Sequence, residues 1–366
     1  MQLSGKFETT TVYPAEGCCN RREIRESCPN PRSPQRTRGH KLLRPLVETR
    51  DEVAVVLANW NGIGHIGHCL EALYTQTHPP SEVVVVDNGS TDGSLALIRE
   101  QFPQITIFAL TENVGIPRAW NLGVEKTESP NVLILNTDVF LDRDFLLEAL
   151  KALRSEPDIG SVAAKVYKAN SQEIDYVGLY LQRRFRVVNS RNVTVPEFVF
   201  SGTGSVMLLR REMLLDIQIS GEYFDETFFA YGEDTDMAWR AQLRGWRCLF
   251  APGAVAHHIG SASQDGKLRV VEKSAFFQRH IWKNRYLTLV KNASPGVLVA
   301  LLPSLILAEL LSWPYVLLRI PHRLHVFILS HLDVVRHLHR ALEKRKLIQK
   351  GRKVGASQIL RFFKGF

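Results

Sequence analysis

The sequence predicts an α/β protein with a parallel sheet in its first half, and three observations predict it. From Asp51 to Arg154, short runs rich in β-branched residues alternate with stretches of helical period. Four of those runs lead into polar turns that carry Asn or Asp. After Asp158 the alternation loosens into runs separated by polar loops, so the second half reads as mixed rather than doubly wound.

The elements follow in order. VAVVLA (Val53 to Ala58) is apolar throughout, the pattern of a strand covered on both faces. A helix runs from about His65 to Gln76, followed by the strand EVVVVD (Glu82 to Asp87) and the helix TDGSLALIREQF. ITIFAL (Ile105 to Leu110) is the third strand. A helix from Pro117 to Lys126 keeps its proline near the start, where no N–H is needed. NVLILN (Asn131 to Asn136) and a helix from Asp142 to Arg154 complete the alternation. Further strands are expected at Ser161 to Tyr167, around Val187, at Ser205 to Arg210 and at Arg247 to Pro252.

Composition narrows the class. The chain has 366 residues, and 45% of them are hydrophobic, enough for a sizeable core. A net charge of +9 favours anionic partners: nucleic acid, phosphorylated small molecules or a membrane surface. The excess charge lies mainly in the two tails and is not interleaved with stacking aromatics, which argues against nucleic acid. Three parts are expected: a disordered basic tail over 1–50, a main domain over 51–290, and membrane-associating helices with a basic tail over 291–366. The first fifty residues lack the apolar stretch of a secretory signal. Cys69 and Cys248 fall in apolar segments and read as buried thiols. Cys18, Cys19 and Cys28 lack a second pair to complete a zinc spacing, which suits a reducing compartment.

PGVLVALLPSLILAELLSWPYVLL (Pro295 to Leu318) approaches the roughly 20 apolar residues of a bilayer span. Pro303, Glu309 and Pro314 interrupt it, and basic sequence follows. A helix in the interface, or a short hairpin held on anionic lipid, is expected rather than a clean span. That places the protein in the cytoplasm, peripheral at the inner face of a membrane. The competing reading is a helical pair packed on the main domain.

Ligands of open parallel sheets bind at the carboxyl ends of the strands. Those ends carry Asn59-Trp60-Asn61, Asp87-Asn88-Gly89-Ser90, Glu112-Asn113-Val114-Gly115 and Asn136-Thr137-Asp138, a polar rim suited to a small molecule. Gly and Asn also serve turns, but the repetition at four successive ends is more than turns require. GIGHIG (Gly62 to Gly67) matches the dinucleotide-binding G-x-G-x-x-G, with Asp87 at the distance of a ribose-binding acid. An NAD-dependent oxidoreductase is therefore a rival reading, although it leaves Asp138 without a role. It also leaves unexplained FFAYGEDTDMAWR (Phe228 to Arg240), where Glu233, Asp234 and Asp236 follow a run of aromatics. A structural reading of that stretch makes Asp234 the cap of a helix beginning at Thr235, with Asp236 and Arg240 paired one turn apart.

Several blocks resemble the family 2 inverting glycosyltransferases. VVLANWNGIGHIGHCLEALYTQTHPPSEVVVVDNGSTDGS resembles their opening, ENVGIPRAWNLG their next block, and LNTDV their Asp-x-Asp element. GTGSVMLLRRE and FDETFFAYGEDTDMAWRAQLRGW resemble the acceptor half with its Glu-Asp motif, and AVAHHIGSAS the histidine block of the rhamnosyltransferase-like branch. The resemblance runs from about Val53 to Arg285, in order.

It implies a GT-A fold, a Rossmann-like nucleotide-binding half fused to a mixed acceptor-binding half. By position, Asp87 holds the base, while Asn59, Asn61, Asn113, Gly115 and Asn136 line the nucleotide-sugar site. Asp138 and His258 hold a divalent metal, Mg²⁺ or Mn²⁺, on the diphosphate. Asn136 stands where the motif carries its first Asp, which leaves one carboxylate for the metal. Asp234 is the base, and Glu233, Phe229 and Tyr231 line the sugar and acceptor. The implied reaction moves a sugar, best read as rhamnose from dTDP-rhamnose, to a glycan or lipid-linked acceptor. A non-catalytic nucleotide-sugar-binding protein is a further alternative.

Overall fold

The computed structural model describes residues 51–189, 193–260 and 273–366. The expectations for the basic tail, including Cys18, Cys19 and Cys28, lie outside the described residues, as do Ser261 to Ser263 of the histidine block.

The first half alternates as its hydrophobic pattern requires. Strand β1 (Val53–Asn59) leads to helix α1 (Ile66–Tyr74), β2 (Glu82–Asp87) to α2 (Ser94–Gln101), and β3 (Thr106–Ala109) to α3 (Ile116–Glu125). Next come β4 (Asn131–Asn136), β5 (Val139–Leu141) and α4 (Phe145–Arg154). The mixed half contributes β6 (Ile159–Lys168), β7 (Ile174–Tyr176), β8 (Leu179–Leu181), β9 (Val187–Asn189), β10 (Glu197–Val199) and β11 (Val206–Arg210). Helices α5 (Arg211–Ile217) and α6 (Glu233–Arg244) precede β12 (Arg247–His258). The chain ends in α7 (Ala275–Asn292), α8 (Pro295–Arg319), α9 (Leu324–Lys350) and α10 (Ala356–Leu360).

The main sheet has the order β10-β12-β6-β11-β4-β1-β2-β3, with β5 on β12 and β7 on β6. β1 to β4 are mutually parallel, and β11 runs antiparallel between β4 and β6. Both faces are covered. Val55 and Leu57 of β1 pack with Leu70 of α1 and Leu146 of α4, whereas Val56 packs with Trp120 of α3 and Met237 of α6. β1 is therefore apolar from Val53 to Ala58, because successive side chains enter opposite cores.

Three local expectations are corrected. α6 starts at Glu233 behind Gly232, so Asp234 lies inside the first turn and is not its cap. Gly232 has φ 90°, a left-handed cap conformation that glycine adopts without strain. β12 does not stop at Pro252. A register shift between Ala251 and Val255 absorbs Pro252-Gly253, and the strand runs on to His258. The helix expected from Asp142 begins at Phe145, and the unforeseen β5 lies just before it because β12 extends far enough to pair there.

The C-terminal helices join the core at their root. Leu289, Ala293, Val297 and Leu301 pack with Trp239 and Phe250. Beyond Leu301, α8 is largely exposed, and it continues as one helix through Pro303 and Pro314. Cys69 and Cys248 are buried free thiols.

Candidate active site

The register of the parallel strands makes the edge. Asn59 stands level with Asp87, Asp87 with Ala109, and Ala58 with Asn136. Asn59 is fully buried. Its amide nitrogen lies 2.7 Å from Asp87 Oδ1, 2.9 Å from Ser94 Oγ and 3.1 Å from Ser90 Oγ. Asn59 thus pins Asp87 from below the edge, while Ser90 N–H donates to Asp87 Oδ2 at 3.1 Å. Asn61, with φ 52°, accepts from Thr91 N–H at 2.9 Å and ties the first loop to the second. Asn88 donates to Asn113 Oδ1 at 3.0 Å, and the same oxygen accepts from Gly115 N–H at 3.0 Å. Gly115 has φ 90°, and a Cβ there would stand 2.7 Å from the carbonyl oxygen of Phe229. The backbone that approaches this glycine is the loop before α6.

The second group gathers where β12 pairs with β5. His258 stands opposite Val139, beside Asp138. Its Nε2 is 3.5 Å from Asp138 Oδ2, and its Nδ1 is 2.9 Å from Asp175 Oδ2. Burial disfavours the imidazolium, but the two carboxylates outweigh it and carry the His258 pKa up to about 9. His257, its neighbour, points elsewhere, to Asp142 at 3.1 Å. Asn136 closes β4 with its N–H on Ser205 O at 2.8 Å.

The third group is the loop 225–232 and the start of α6. Asp234 Oδ2 accepts from Gly204 N–H at 3.0 Å, and Oδ1 accepts from Thr235 N–H at 2.6 Å. Burial raises its pKa and these donors moderate the rise. Glu233 is more deeply buried, with Oε2 lacking a hydrogen-bond partner, so burial and then the charge of Asp234 push its carboxyl up. Of two adjacent carboxyls, the one with donors is the less disfavoured in its charged form. Phe229 (φ 64°) and Tyr231 (φ 67°) hold left-handed conformations rare for aromatic residues. Their rings meet Phe276, His280 and Phe277 of α7.

The loop after β10 joins the groups. Ser205 O receives Asn136 N–H and Gly204 N–H reaches Asp234, so the ends of β4 and α6 are held by adjacent residues. Asp236 does not join them. It is fully buried, 3.1 Å from Arg240 and 2.8 Å from Lys291. Asp175, Gly204 and the residues of α7 were not foreseen as parts of the site. Asp175 belongs to a three-residue strand with no spacing signature, whereas the small, polar GTGS before β11 was a visible hint. A cavity of about 310 Å³ lined by Tyr286, Leu305 and Glu309 lies between α7 and α8, away from this edge.

GIGHIG does not form a dinucleotide turn. In that fingerprint the third glycine permits close helix–strand packing. Here a Cβ on Gly67 would make an ordinary 3.8 Å contact with Leu97, and one on Gly64 would meet nothing within 4 Å.

Residues 54–217 match the family described as Glycosyl transferase family 2. The chain is 22% identical over 218 residues to the poly-beta-1,6-N-acetyl-D-glucosamine synthase of Staphylococcus aureus strain MSSA476, covering 57% of this chain and 50% of that protein. It is 28% identical over 98 residues to glycosyltransferase GlyA of Streptococcus pneumoniae, covering 26% and 14%. The chain therefore spans about half the length, or less, of these curated relatives. Among solved structures it resembles S. aureus TarS 1–349 (TM-score 0.53, 16% identity, 85% of this chain and 89% of that one). It also resembles GalNAc-T7 with UDP, GalNAc and Mn²⁺ (TM-score 0.52, 15% identity, 66% and 48%).

The fold is GT-A, with a parallel nucleotide-binding half, a mixed second half and an apolar C-terminal helix. The matching family and the relatives belong to one class, the glycosyltransferases. Over residues 54–217 the chain is similar to that class.

Proposed function

We propose that the chain is an inverting glycosyltransferase that takes a sugar from a nucleotide donor and passes it to a glycan or lipid-linked acceptor. The observation that carries this reading is the placement of Asp234. Its carboxylate is held by Gly204 N–H, one residue from the loop contact that secures the end of β4. A base there is linked, through adjacent residues Gly204 and Ser205, to the end of β4, the strand that leads into Asp138.

In this reading Asp87, braced by Asn59 and Ser90, orients the base of the nucleotide. Asp234 takes the proton of the acceptor hydroxyl on the face of the sugar away from the nucleotide. Positioned bases of this kind contribute about 10²–10⁴-fold. Burial of Glu233 beside it disfavours a second charge and so a repelling pair. Phe229 and Tyr231 exclude water and offer flat apolar surface to a sugar ring.

Asp138 and, once it gives up its proton, His258 Nε2 are the residues that fit a divalent cation. Asp175 fixes the opposite imidazole nitrogen, the usual way a metal-ligating histidine is oriented. Among the described residues no group of three or more His, Cys, Asp or Glu is placed to hold a metal alone, so donor phosphate oxygens complete the set. Bound there, Mg²⁺ or Mn²⁺ neutralises charge on the departing nucleotide.

The donor is rhamnose on dTDP in this reading. A panel of UDP- and dTDP-sugars including dTDP-rhamnose, assayed with Mn²⁺ and a lipid-linked acceptor, tests it. Metal-dependent release of dTDP is expected, and no turnover across the panel contradicts the reading.

Membrane contact through α8 belongs to the same proposal. Val299, Leu310 and Leu318 are 73%, 65% and 75% exposed, and basic residues of α9 follow. An exposed apolar helix followed by a basic one suits contact with an anionic lipid surface. Flotation with phosphatidylglycerol vesicles is expected to carry the protein and to fail for Leu310→Glu/Leu318→Glu. Equal flotation of both proteins contradicts membrane contact through α8.

A further inference from the structure

We propose that Asn284, on α7, is a positioning residue for Asp234, so that the C-terminal helix is part of the catalytic machinery. The inference rests on the base assignment made above and extends it to a segment that the family match, ending at residue 217, does not reach.

One face of α7 is committed to the loop 225–232. At helical spacing, His280, Lys283, Asn284, Leu287 and Lys291 point the same way. His280 stacks on Phe229, with centroids 5.3 Å apart, and Lys283 Nζ donates to Thr227 O at 2.8 Å. Leu287 packs on Phe228, and Lys291 lies 4.4 Å over the Phe228 ring while pairing with Asp225 and Asp236.

Asn284 makes the central contact. It is 1% exposed, and its amide nitrogen lies 3.1 Å from Phe228 O, 2.8 Å from Ala230 O and 2.6 Å from Tyr231 O. One NH₂ group with two hydrogens is shared among three carbonyls.

The loop needs such an anchor. Phe229 and Tyr231 have positive φ, and each non-glycine residue held there costs on the order of 1–3 kcal/mol unless its surroundings enforce it. The enforced carbonyls are those on either side of Phe229 and that of Tyr231 itself, so Asn284 holds the backbone in the conformation that strain opposes. Gly232 follows immediately, with an ideal Cβ position 3.6 Å from Asn284 Cβ, and Glu233 and Asp234 open α6 behind it. Releasing the three carbonyls lets the first turn of α6 shift, which moves Asp234 away from Gly204 N–H. Asp87 and Asp138 stand on other elements and are not moved.

The experiment is a double-mutant cycle on the full chain, using the sugar nucleotide that wild-type protein turns over. Asn284→Ala is expected to lower kcat about 10–100-fold, with donor KM and dTDP affinity within about twofold. In an Asp234→Asn background, Asn284→Ala is expected to add little, because the group it positions is gone. Asn284→Ser, which retains a donor, should fall between wild type and Asn284→Ala.

Additive losses in the cycle, or wild-type kcat in a folded Asn284→Ala or Asn284→Ser protein, overturn the proposal. If Asp234→Asn alone keeps full turnover, the base assignment fails and the inference falls with it, a result distinct from additivity. Hydrogen exchange over 226–235 supplies a readout independent of the reaction. Asn284→Ala should lose protection there while β1 to β4 keep theirs, and unchanged protection also overturns the proposal.

Discussion

A side-chain carbon on Gly115 would stand 2.7 Å from the carbonyl oxygen of Phe229, and Ile116 N–H donates to that same oxygen at 2.8 Å. The parallel half and the loop before α6 therefore meet backbone to backbone, with no room for a methyl group. Gly115→Ala combines a strained φ of 90° with a clash against backbone that cannot rotate away. It is expected to lower kcat at least tenfold while dTDP still binds through Asp87, as kinetics and calorimetry can check.

The pH dependence of turnover follows from Asp234. Burial lifts its pKa above the ordinary carboxylate value, and a base acts only when deprotonated. Turnover should rise with pH through an acidic limb lying above about pH 4, the unperturbed range for aspartate. A kcat profile that is flat through that limb speaks against the assignment.

Asp175 holds His258 Nδ1 at 2.9 Å, which leaves Nε2 directed to Asp138. Asp175→Asn is expected to weaken Mn²⁺ binding about 10–100-fold, the usual effect of removing a carboxylate behind a metal-bound histidine. Electron paramagnetic resonance titration of Mn²⁺ in the presence of dTDP measures this without turnover.

Behind the loop 225–232, Lys344 of α9 reaches Asp225 at 2.8 Å and Glu222 at 2.6 Å, and Lys291 of α7 reaches Asp225 as well. Asp225 and both lysines that reach it are buried. Lys344→Ala leaves Asp225 with one cation fewer and is expected to cost about 3 kcal/mol in a urea melt. Burial alone would raise the Asp225 pKa, but the two lysines depress it. A depressed folded pKa stabilises above the unfolded value, so this contribution is complete above about pH 4 and declines as pH falls below it. The wild-type protein should lose stability there more steeply than Asp225→Asn.

Much of the nucleotide half was legible because its signals are local. Runs such as EVVVVD are too apolar and too short for anything but covered strands, and their polar ends mark the sheet edge directly. The C-terminal half of the site was not legible, for a different reason. Asp175, Gly204 and Asn284 act across separations of 83, 30 and 53 to 56 residues, and no spacing rule connects them. Pro252-Gly253 misled for a third reason: two residues that normally end a strand were absorbed as a register shift, which carried His258 to Asp138. Asn59 illustrates a further limit. Its place at a strand end was readable, but its burial under Asp87 depends on Ser90 and Ser94 from the next loop.

The most direct test of the account compares Asp234→Asn with wild type for two quantities, kcat for nucleotide release and affinity for dTDP. The account predicts a loss of at least about 10²-fold in kcat with affinity unchanged. Full turnover by Asp234→Asn, or an equal loss of dTDP binding, contradicts it.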